Sequence, residues 1–541
     1  MIEFKCGCQF EENNKGLPIF APYFDKIRLT CPDTWELISS GNTKGVFQLD
    51  SQLGQSLSSK AQPHDMNELA DLTAILRPGC MDSLVEGKTL TNHYIDRKHG
   101  RDEVKYFHPA LEPILRATYG ILVYQEEALH IAKDIAGYNL SEAEILRKAI
   151  GKKKVELMAK VKAQFLDKIE AHQIVTREEG QEIFSWIEAS QRYAFNYIHA
   201  VSYAHNGYLT AFAKTHFPPA FFTAWLRHAK GKIKPADEIE ELVNNARLMD
   251  IDIMPPSILY MNKSFKIFDG SPRYGLMNVK GVGESAYLQL KNKIRKEKYD
   301  LTQFSWDQFL MKLGRHVRKD SLEGFIKAGA LDCFNVSRTK MMYDFALYRD
   351  FRKHDHKFLE EGNFPTLENG LESILKDKIP NERRTAHTNK FIDLFKGALV
   401  ALNKPPYDLI DLPSWKAKQE REYLSVELTC TEIDEYDTTQ ANCTCREFIK
   451  GFQSPSIAIA VKVNDVREWT IKRGKNKGGK MAFLKVSDGT CSLDNATVFS
   501  QTWDKCKNVL AKDSILLLRG NRDENQGSFL VKSAQKLTQA I

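Results

Sequence analysis

The chain reads as a multidomain α+β protein, mainly α-helical in its first half and closed by a small antiparallel β domain. Three observations predict this. From about Asp65 to Leu226, apolar residues recur every three or four positions, as in ALEPILRATYG and YQEEALHIAKDIAGY. From about Ser456, SIAIAVKVNDVREWTIK, KMAFLKVSD, NATVFS and DSILLLRGNRD alternate apolar and polar residues between turn residues, and a closed barrel removes the edges such strands leave. The length of 541 residues, with 42% hydrophobic and 27% charged content, suits several cores rather than one.

Residues 1–40 are short, turn-rich and contain cysteine. Cys6, Cys8 and Cys31 form one trio that invites zinc, and Cys430, Cys443 and Cys445 form another. Neither has the paired CxxC spacing of a ribbon or finger, so free thiols are the first expectation and the N-terminal trio the one to assay for metal. The opening MIEFKCGCQFEENNKG lacks the basic-then-apolar pattern of a signal peptide, and no apolar run approaches bilayer length. The expectation is a cytoplasmic protein with no membrane partner.

Further along, Asn139-Leu-Ser141 is a helix start, with Ser141 accepting from the Glu144 amide while Glu144 reaches back. Pro218-Pro219 breaks one helix from the next. A charged helix, DEIEELVNNARLMD, follows Lys232, then strand-like SFKIFDG and RYGLMNV. Val279-Lys280-Gly281-Val282-Gly283 has helix-hairpin-helix form: glycines make a tight turn, and amides at the following helix start bind a phosphate without reading a base. Residues 341–450, broken by Pro380, Pro405, Pro406 and Pro413, read as a connector with partial structure.

The net charge of +7 permits a polyanionic partner without demanding one. Its distribution says more: GKKK at 151–154, KNKIRKEK at 291–298 and IKRGKNKGGK at 471–480 are separate basic clusters able to follow a backbone of phosphates.

One ordered series of motifs carries a family resemblance. GVFQLDS at 45–51 is followed by Arg77-Pro78-Gly79, YIDRKHG at 94–100, TYGILVYQEE at 118–127, LRKAIGKKK at 146–154 and FNYIHAVSYA at 195–204; VKGVGE, FIKAGALD and EREYLSVEL come later. The series resembles the C-family replicative polymerases, the bacterial DNA polymerase III alpha subunits, from about residue 34 to the C-terminus. The resemblance implies a division into the Cys-containing segment 1–40, polymerase fingers 41–231, a helix-hairpin-helix domain 232–340, the connector 341–450 and an OB-fold at 451–541.

The resemblance also implies roles. Arg147 and Lys148, with Lys152 as a weaker candidate, would touch the triphosphate of an incoming dNTP; Asn196, His199 and Tyr203 would face the same nucleotide. Gln125, Glu126, Arg97 and Lys98 match the family and either fix the fingers or contact template. Where the family has Lys-Ser after the asparagine, this chain has Tyr197-Ile198, which removes a cation from a phosphate-facing loop. Lys280, Gly281 and Gly283 would hold duplex. Lys472, Arg473, Lys475, Lys477 and Lys480 would hold single-stranded template, with Trp469, Phe483 and Phe499 either stacking on bases or filling the barrel. Tyr203, Tyr208, Phe212, Phe217, Phe221, Phe222 and Trp225 fit core packing better than stacking. The nearest match to a sliding-clamp peptide, Phe391-Ile-Asp-Leu394-Phe395, lacks the usual Gln and reads as a buried turn.

In the family, a palm with three Asp residues precedes GVFQLDS and holds two Mg²⁺ ions. The first 44 residues here contain no Asp-x-Asp pair, and Asp25 is the single acid there that invites comparison. The expectation is one subunit of a split polymerase, acting on primer–template DNA with a palm-bearing second chain, as in a phage-encoded replicase. The alternative is a non-catalytic DNA-binding accessory derived from a polymerase.

Overall fold

Proline in its first turn starts the first helix, Pro32–Ser39 (α1), directly after Cys31. The computed structural model describes residues 1–14, 16, 18–21, 23, 26–152, 155–190, 194–378, 386–472, 477–523 and 527–540, and of 150–152, 155–157, 378, 386–388 and 495 the backbone alone. Asp25, Lys153, Lys154, Arg473, Lys475 and the side chain of Lys152 lie outside these described residues. Two compact units run Met1–Pro218 and Pro219–Ile541.

In the first unit, two-residue strands Ile2–Glu3 (β1) and Gln9–Phe10 (β2) pair antiparallel around Cys6-Gly7-Cys8. Helix Met66–Ile75 (α2) begins where the Asp65 carboxylate accepts from the amides of Asn67 and Glu68. A helical group follows: Gln125–Asp134 (α3), Leu140–Lys152 (α4), Val155–His172 (α5) and Arg177–Ser190 (α6). Their apolar stripes merge into one core containing Ile131, Leu146, Phe165, Ile169, Phe184 and Ile187. The cap of α4 lies two residues before the expected one. Asn139 Oδ1 accepts from the Glu142 amide at 3.0 Å, and Glu142 reaches back to the Asn139 amide at 2.9 Å. Glu144, released from capping, pairs with Arg147 instead.

Helix Tyr197–His216 (α7) packs on α1 and α2. Its inward positions include Ala200, Ala204, Gly207 and Ala211, small enough for backbones to approach closely, with Tyr208 and Phe212 filling the space beyond. Buried Lys214 donates to the carbonyls of Asn42 and Lys44 at 2.7 and 2.8 Å, and Thr210 Oγ1 accepts from the Phe47 amide at 3.0 Å. The GVFQLDS segment is thereby fastened to α7.

In the second unit, the charged helix runs Pro235–Leu248 (α8). The strand-like stretches form a short hairpin, Lys266–Phe268 (β3) with Ser271–Arg273 (β4). The second strand ends earlier than expected, and Leu276–Asn278 is a 3₁₀ turn. Helices Glu284–Glu297 (α9) and Lys319–Lys327 (α10) follow the Gly281–Gly283 turn. The stretch expected to be irregular is largely helical, including Arg338–Arg349 (α11), Ala386–Asn403 (α12) and Pro413–Leu424 (α13). Among the described residues, Pro405 and Pro406 lie between α12 and α13 and Pro413 sits in the first turn of α13, while Pro380 lies outside the described residues.

A fully buried cation explains why distant motifs meet in this unit. Arg338, 0% exposed, donates to Asp332 at 2.7 Å and Glu420 at 2.9 Å. Glu420 also accepts from the amides of Leu428 and Thr429. FIKAGALD and EREYLSVEL are thus held to one guanidinium, whose partners compensate its desolvation.

The C-terminal strands are Ile457–Thr470 (β5), Lys480–Ser487 (β6), Ser492–Val498 (β7), Ile515–Arg522 (β8) and Phe529–Lys536 (β9). They close a barrel in the order β5-β6-β7-β9-β8, with β8 returning to β5. Only β7 and β9 run parallel, and the helix Ser500–Cys506 (α14) joins β7 to β8. This is OB-type topology. Ala482, Leu484 and Val486 point inward with Ile459, Val461, Leu516 and Leu518.

Candidate functional site

The nucleotide-facing residues expected in the first unit gather where α3, α4 and α7 begin or face one another. Phe195 is clamped by its own amide, 3.0 Å from the Val123 carbonyl, and by its carbonyl, 2.8 Å from the Gln125 amide. That short parallel bridge brings the start of α3 to the start of α7. Asn196 caps α7: its Oδ1 accepts from the His199 amide at 2.9 Å and its Nδ2 donates to Glu126 at 2.8 Å. Glu126 also accepts from the Tyr197 amide at 2.9 Å, and its charge reaches Arg147. Arg147 is bidentate on Glu144 at 2.8 and 2.6 Å, and this pairing holds its guanidinium above the ordinary range. Lys148 is exposed on the same helix. His199 is exposed and lies over Tyr203, ring centres 4.0 Å apart, with Phe47 behind Tyr203 at 5.2 Å.

Tyr197 and Ile198 are exposed, Ile198 by 72%. Arg97 donates to the Tyr119 carbonyl, and Lys98 to the carbonyls of Ala61 and Gln62, so both fix the fold. Phe221 and Phe222 join Tyr208 and Phe212 among the buried residues.

Sequence reasoning gave no role to the support beneath this cluster. The Arg77 guanidinium lies 3.7 Å from the centre of the Phe195 ring, and its burial lowers its pKa. Asp71 accepts from the hydroxyls of Tyr94 at 2.8 Å and Tyr124 at 2.5 Å. Burial pushes its carboxyl up to about 6 against those hydrogen bonds. Glu127 accepts from Thr118 Oγ1 and from the amides of Val123 and Tyr124, and burial pushes it up to about 8. Local periodicity marks both positions as helical and leaves their burial to the packing of α2 against α7 and of α3 against α4.

In the second unit, Gly281 has φ +85° and Gly283 stands immediately before α9. Lys280 points to solvent with Nζ 3.4 Å from Glu422, while its amide donates to the Tyr423 carbonyl. Ser321 on α10 donates to the Gly281 carbonyl at 3.1 Å, bracing the turn from the other side. The first amides of α9, lacking intrahelical acceptors, are oriented outward along its axis. Phe391-Ile-Asp-Leu394-Phe395 lies within α12, and Phe395 is fully buried.

The barrel's basic residues lie on and beside the loop between its first two strands. Lys472 Nζ is 5.4 Å from the Trp469 ring centre, Lys477 is exposed on the loop, and Lys480 pairs with Glu468 at 2.8 Å. Trp469 and Phe499 are 51% and 52% exposed. Strand register sets Arg467, Phe483 and Thr497 side by side, on the face opposite Ala482 and Leu484. All three aromatics therefore stand off the core, and Trp469 stands beside the basic loop.

The two cysteine trios part ways. Cys443 and Cys445 pack in the barrel core, and Cys430 Sγ faces the Pro413 carbonyl. Cys6, Cys8 and Cys31 converge, and His216 joins them from the last turn of α7. Sequence spacing held no signal for His216, which is 185 residues from Cys31.

Comparison with known proteins agrees with these features. A model of the bacterial DNA polymerase III alpha subunit finger domain matches residues 11–173, and a helix-hairpin-helix motif matches 250–341. The chain is 28% identical over 515 residues to DNA polymerase III subunit alpha of Aquifex aeolicus, covering 95% of this chain and 39% of the relative. It is 31% identical over 509 residues to that of Thermus aquaticus (92% and 38%) and 29% over 547 residues to that of Pseudomonas aeruginosa (98% and 44%). The chain is a homologue of the C-terminal portion of bacterial DNA polymerase III alpha subunits, and spans about two fifths of these curated relatives' length.

Proposed function

We propose that this chain supplies the fingers, hairpin and barrel portion of a replicative DNA polymerase, binding an incoming dNTP and primer–template DNA. The observation that carries this is the convergence of Arg147, Glu126, Asn196, His199 and Tyr203 at the start of α7, a surface with both cationic and aromatic groups. A triphosphate arriving there would draw Arg147 from Glu144, with Lys148 adding charge and the His199–Tyr203 pair packing near the base or sugar. The hairpin would hold duplex by its phosphates, and the barrel face would hold single-stranded template by stacking and by the Lys472 to Lys480 loop.

The carboxylates beside this cluster do not fit a two-metal centre. Glu126 is occupied by Asn196 and Tyr197, while Asp71 and Glu127 are buried on tyrosines and amides. Mg²⁺ would therefore be held by palm carboxylates from outside these residues, supplied by a second, palm-bearing chain. The exposed Ile198, standing where the family has a phosphate-facing segment, favours a second reading: a DNA-binding accessory that no longer handles nucleotides.

Primer extension with Mg²⁺ and four dNTPs, using this chain alone and with the palm-bearing protein of the same genome, separates the readings. Extension only with the partner supports the split enzyme. Extension by the chain alone would require carboxylates within it, and none in either case, with DNA binding intact, would favour the accessory.

A further inference from the structure

Among the described residues, one group of three or more His, Cys, Asp or Glu side chains brings its ligand atoms together: Cys6, Cys8, Cys31 and His216. All four atoms lie within 4.8 Å of one another. His216 Nε2 is 3.3 Å from Cys31 Sγ and 3.9 Å from Cys6 Sγ. A tetrahedral zinc, with bonds of about 2.3 Å to sulfur and about 2.0–2.1 Å to nitrogen, sets its ligand atoms roughly 3.5–3.8 Å apart. We infer that Cys6, Cys8, Cys31 and His216 form a structural Zn²⁺ site that fastens the N-terminal segment to the last turn of α7.

The surroundings are those of a closed site. Cys8, Cys31 and His216 are buried, and the rings of Phe4, Phe10 and Phe212 lie 5.2, 5.5 and 4.4 Å from the His216 ring. Four protein ligands complete a tetrahedron and leave no open position for a reacting water, which separates a structural from a catalytic zinc. Three thiolates and an imidazole select a soft, tetrahedral ion over Mg²⁺ or Ca²⁺.

The backbone around the ligands is shaped for the task. Gly7, with φ +79°, turns the chain so that both flanking cysteines face inward, and a Cβ there would come within 2.8 Å of Arg28 Nη1. Arg28 donates to the Cys6 carbonyl at 3.0 Å. Tyr208 ties the third ligand to α7: its hydroxyl donates to the Arg28 carbonyl at 2.7 Å and accepts from the Cys31 amide at 3.2 Å.

The segment also needs a staple. Among the described residues before α1, regular pairing amounts to two strands of two residues each and one isolated bridge, Glu12 to Pro18, which is little to hold the segment in place. Metal binding would supply that stability directly. It would anchor the far end of the helix whose opposite end carries Asn196, His199 and Tyr203.

The test uses the full chain, purified without chelator. Elemental analysis is expected to find one equivalent of zinc, and replacement with Co²⁺ to give the intense visible bands of a tetrahedral thiolate complex. Cys31→Ser combined with His216→Ala should lose the metal, while Cys443→Ser should keep it. Because the double variant removes two ligands at once and with them the segment's anchor, His216→Cys provides the decisive control: it should retain one zinc with a Co²⁺ spectrum shifted toward four sulfurs. Absence of bound zinc in the folded wild-type chain, a Co²⁺ spectrum without thiolate bands, or loss of zinc in Cys443→Ser but not in the variant combining Cys31→Ser with His216→Ala would overturn the assignment.

Discussion

Cations and aromatic rings gather at the start of α7 and on the barrel, among other regions, and in these two they are held very differently. At the start of α7 the central groups are held by neighbours: Arg147 by Glu144, Asn196 by Glu126 and the His199 amide, His199 by Tyr203. In the barrel, Lys472 and Lys477 stand on a loop between strands, and Trp469 and Phe499 face solvent. A helix-borne site suits a ligand of one shape, such as a triphosphate, whose charges must be met at set positions. A cationic loop beside exposed rings suits a polymer that presents many similar phosphates and bases. The comparison teaches that similar composition serves geometric selection in one place and adaptable attraction in the other.

The largest effect expected is on the fixed side. In a reconstituted polymerase, Arg147→Ala should lower nucleotide incorporation about 100-fold and leave primer–template affinity within about twofold, measured by single-turnover extension and by anisotropy. Equal losses in both would erase the distinction drawn here.

Next comes the hairpin, which combines a fixed turn with a solvent-facing lysine paired to Glu422. Lys280→Ala with Gly281→Val should weaken duplex binding roughly tenfold, because a β-branched residue strains the φ +85° position and the turn's amides lose their aim. An unchanged titration would remove the hairpin from the DNA surface.

On the adaptable side, Lys472→Ala with Lys477→Ala should reduce single-strand affinity about fivefold and lower the slope of log affinity against log salt by about 1–2. Affinity indifferent to salt would break the comparison at its root.

The smallest effect concerns the scaffold under α7. The Asp71 and Glu127 carboxyls titrate near 6 and 8 when folded, above their ordinary 3.8 and 4.5, chiefly through burial. Folding therefore takes up protons, and the stability these groups contribute at low pH is lost as pH rises through those folded values. Thermal melts should shift down by about 5 °C between pH about 6 and about 9, and Asp71→Asn with Glu127→Gln should flatten the dependence. A melting temperature that climbs over that range in the wild-type chain would reverse the sign.

Much of the fold was legible in local pattern, because helices and strands bury faces whose period is written in the chain. The 3.6-residue stripe announced α3 to α7, and the alternation after Ser456 announced the barrel. The Gly281–Gly283 turn was legible for the same reason, since positive φ there limits the choice of residue. Cap positions were less so. Asn139 and Ser141 are both good caps, and the pairing of Glu144 with Arg147 accompanies the choice of Asn139.

The sequence by itself determined that the stretch from about Asp65 to Leu226 is mainly helical, that the barrel strands follow Ser456 and which residues carry charge, because those properties depend on neighbours within a few positions; the helices between residues 341 and 450 were not legible in this way. Only the tertiary structure decided that Arg338 would bind Asp332 and Glu420, that Trp469, Phe483 and Phe499 would stand outside the barrel core, and that His216 would arrive beside Cys6, Cys8 and Cys31. Each depends on segments far apart in the chain meeting after their apolar faces are buried, and no local period encodes such a meeting.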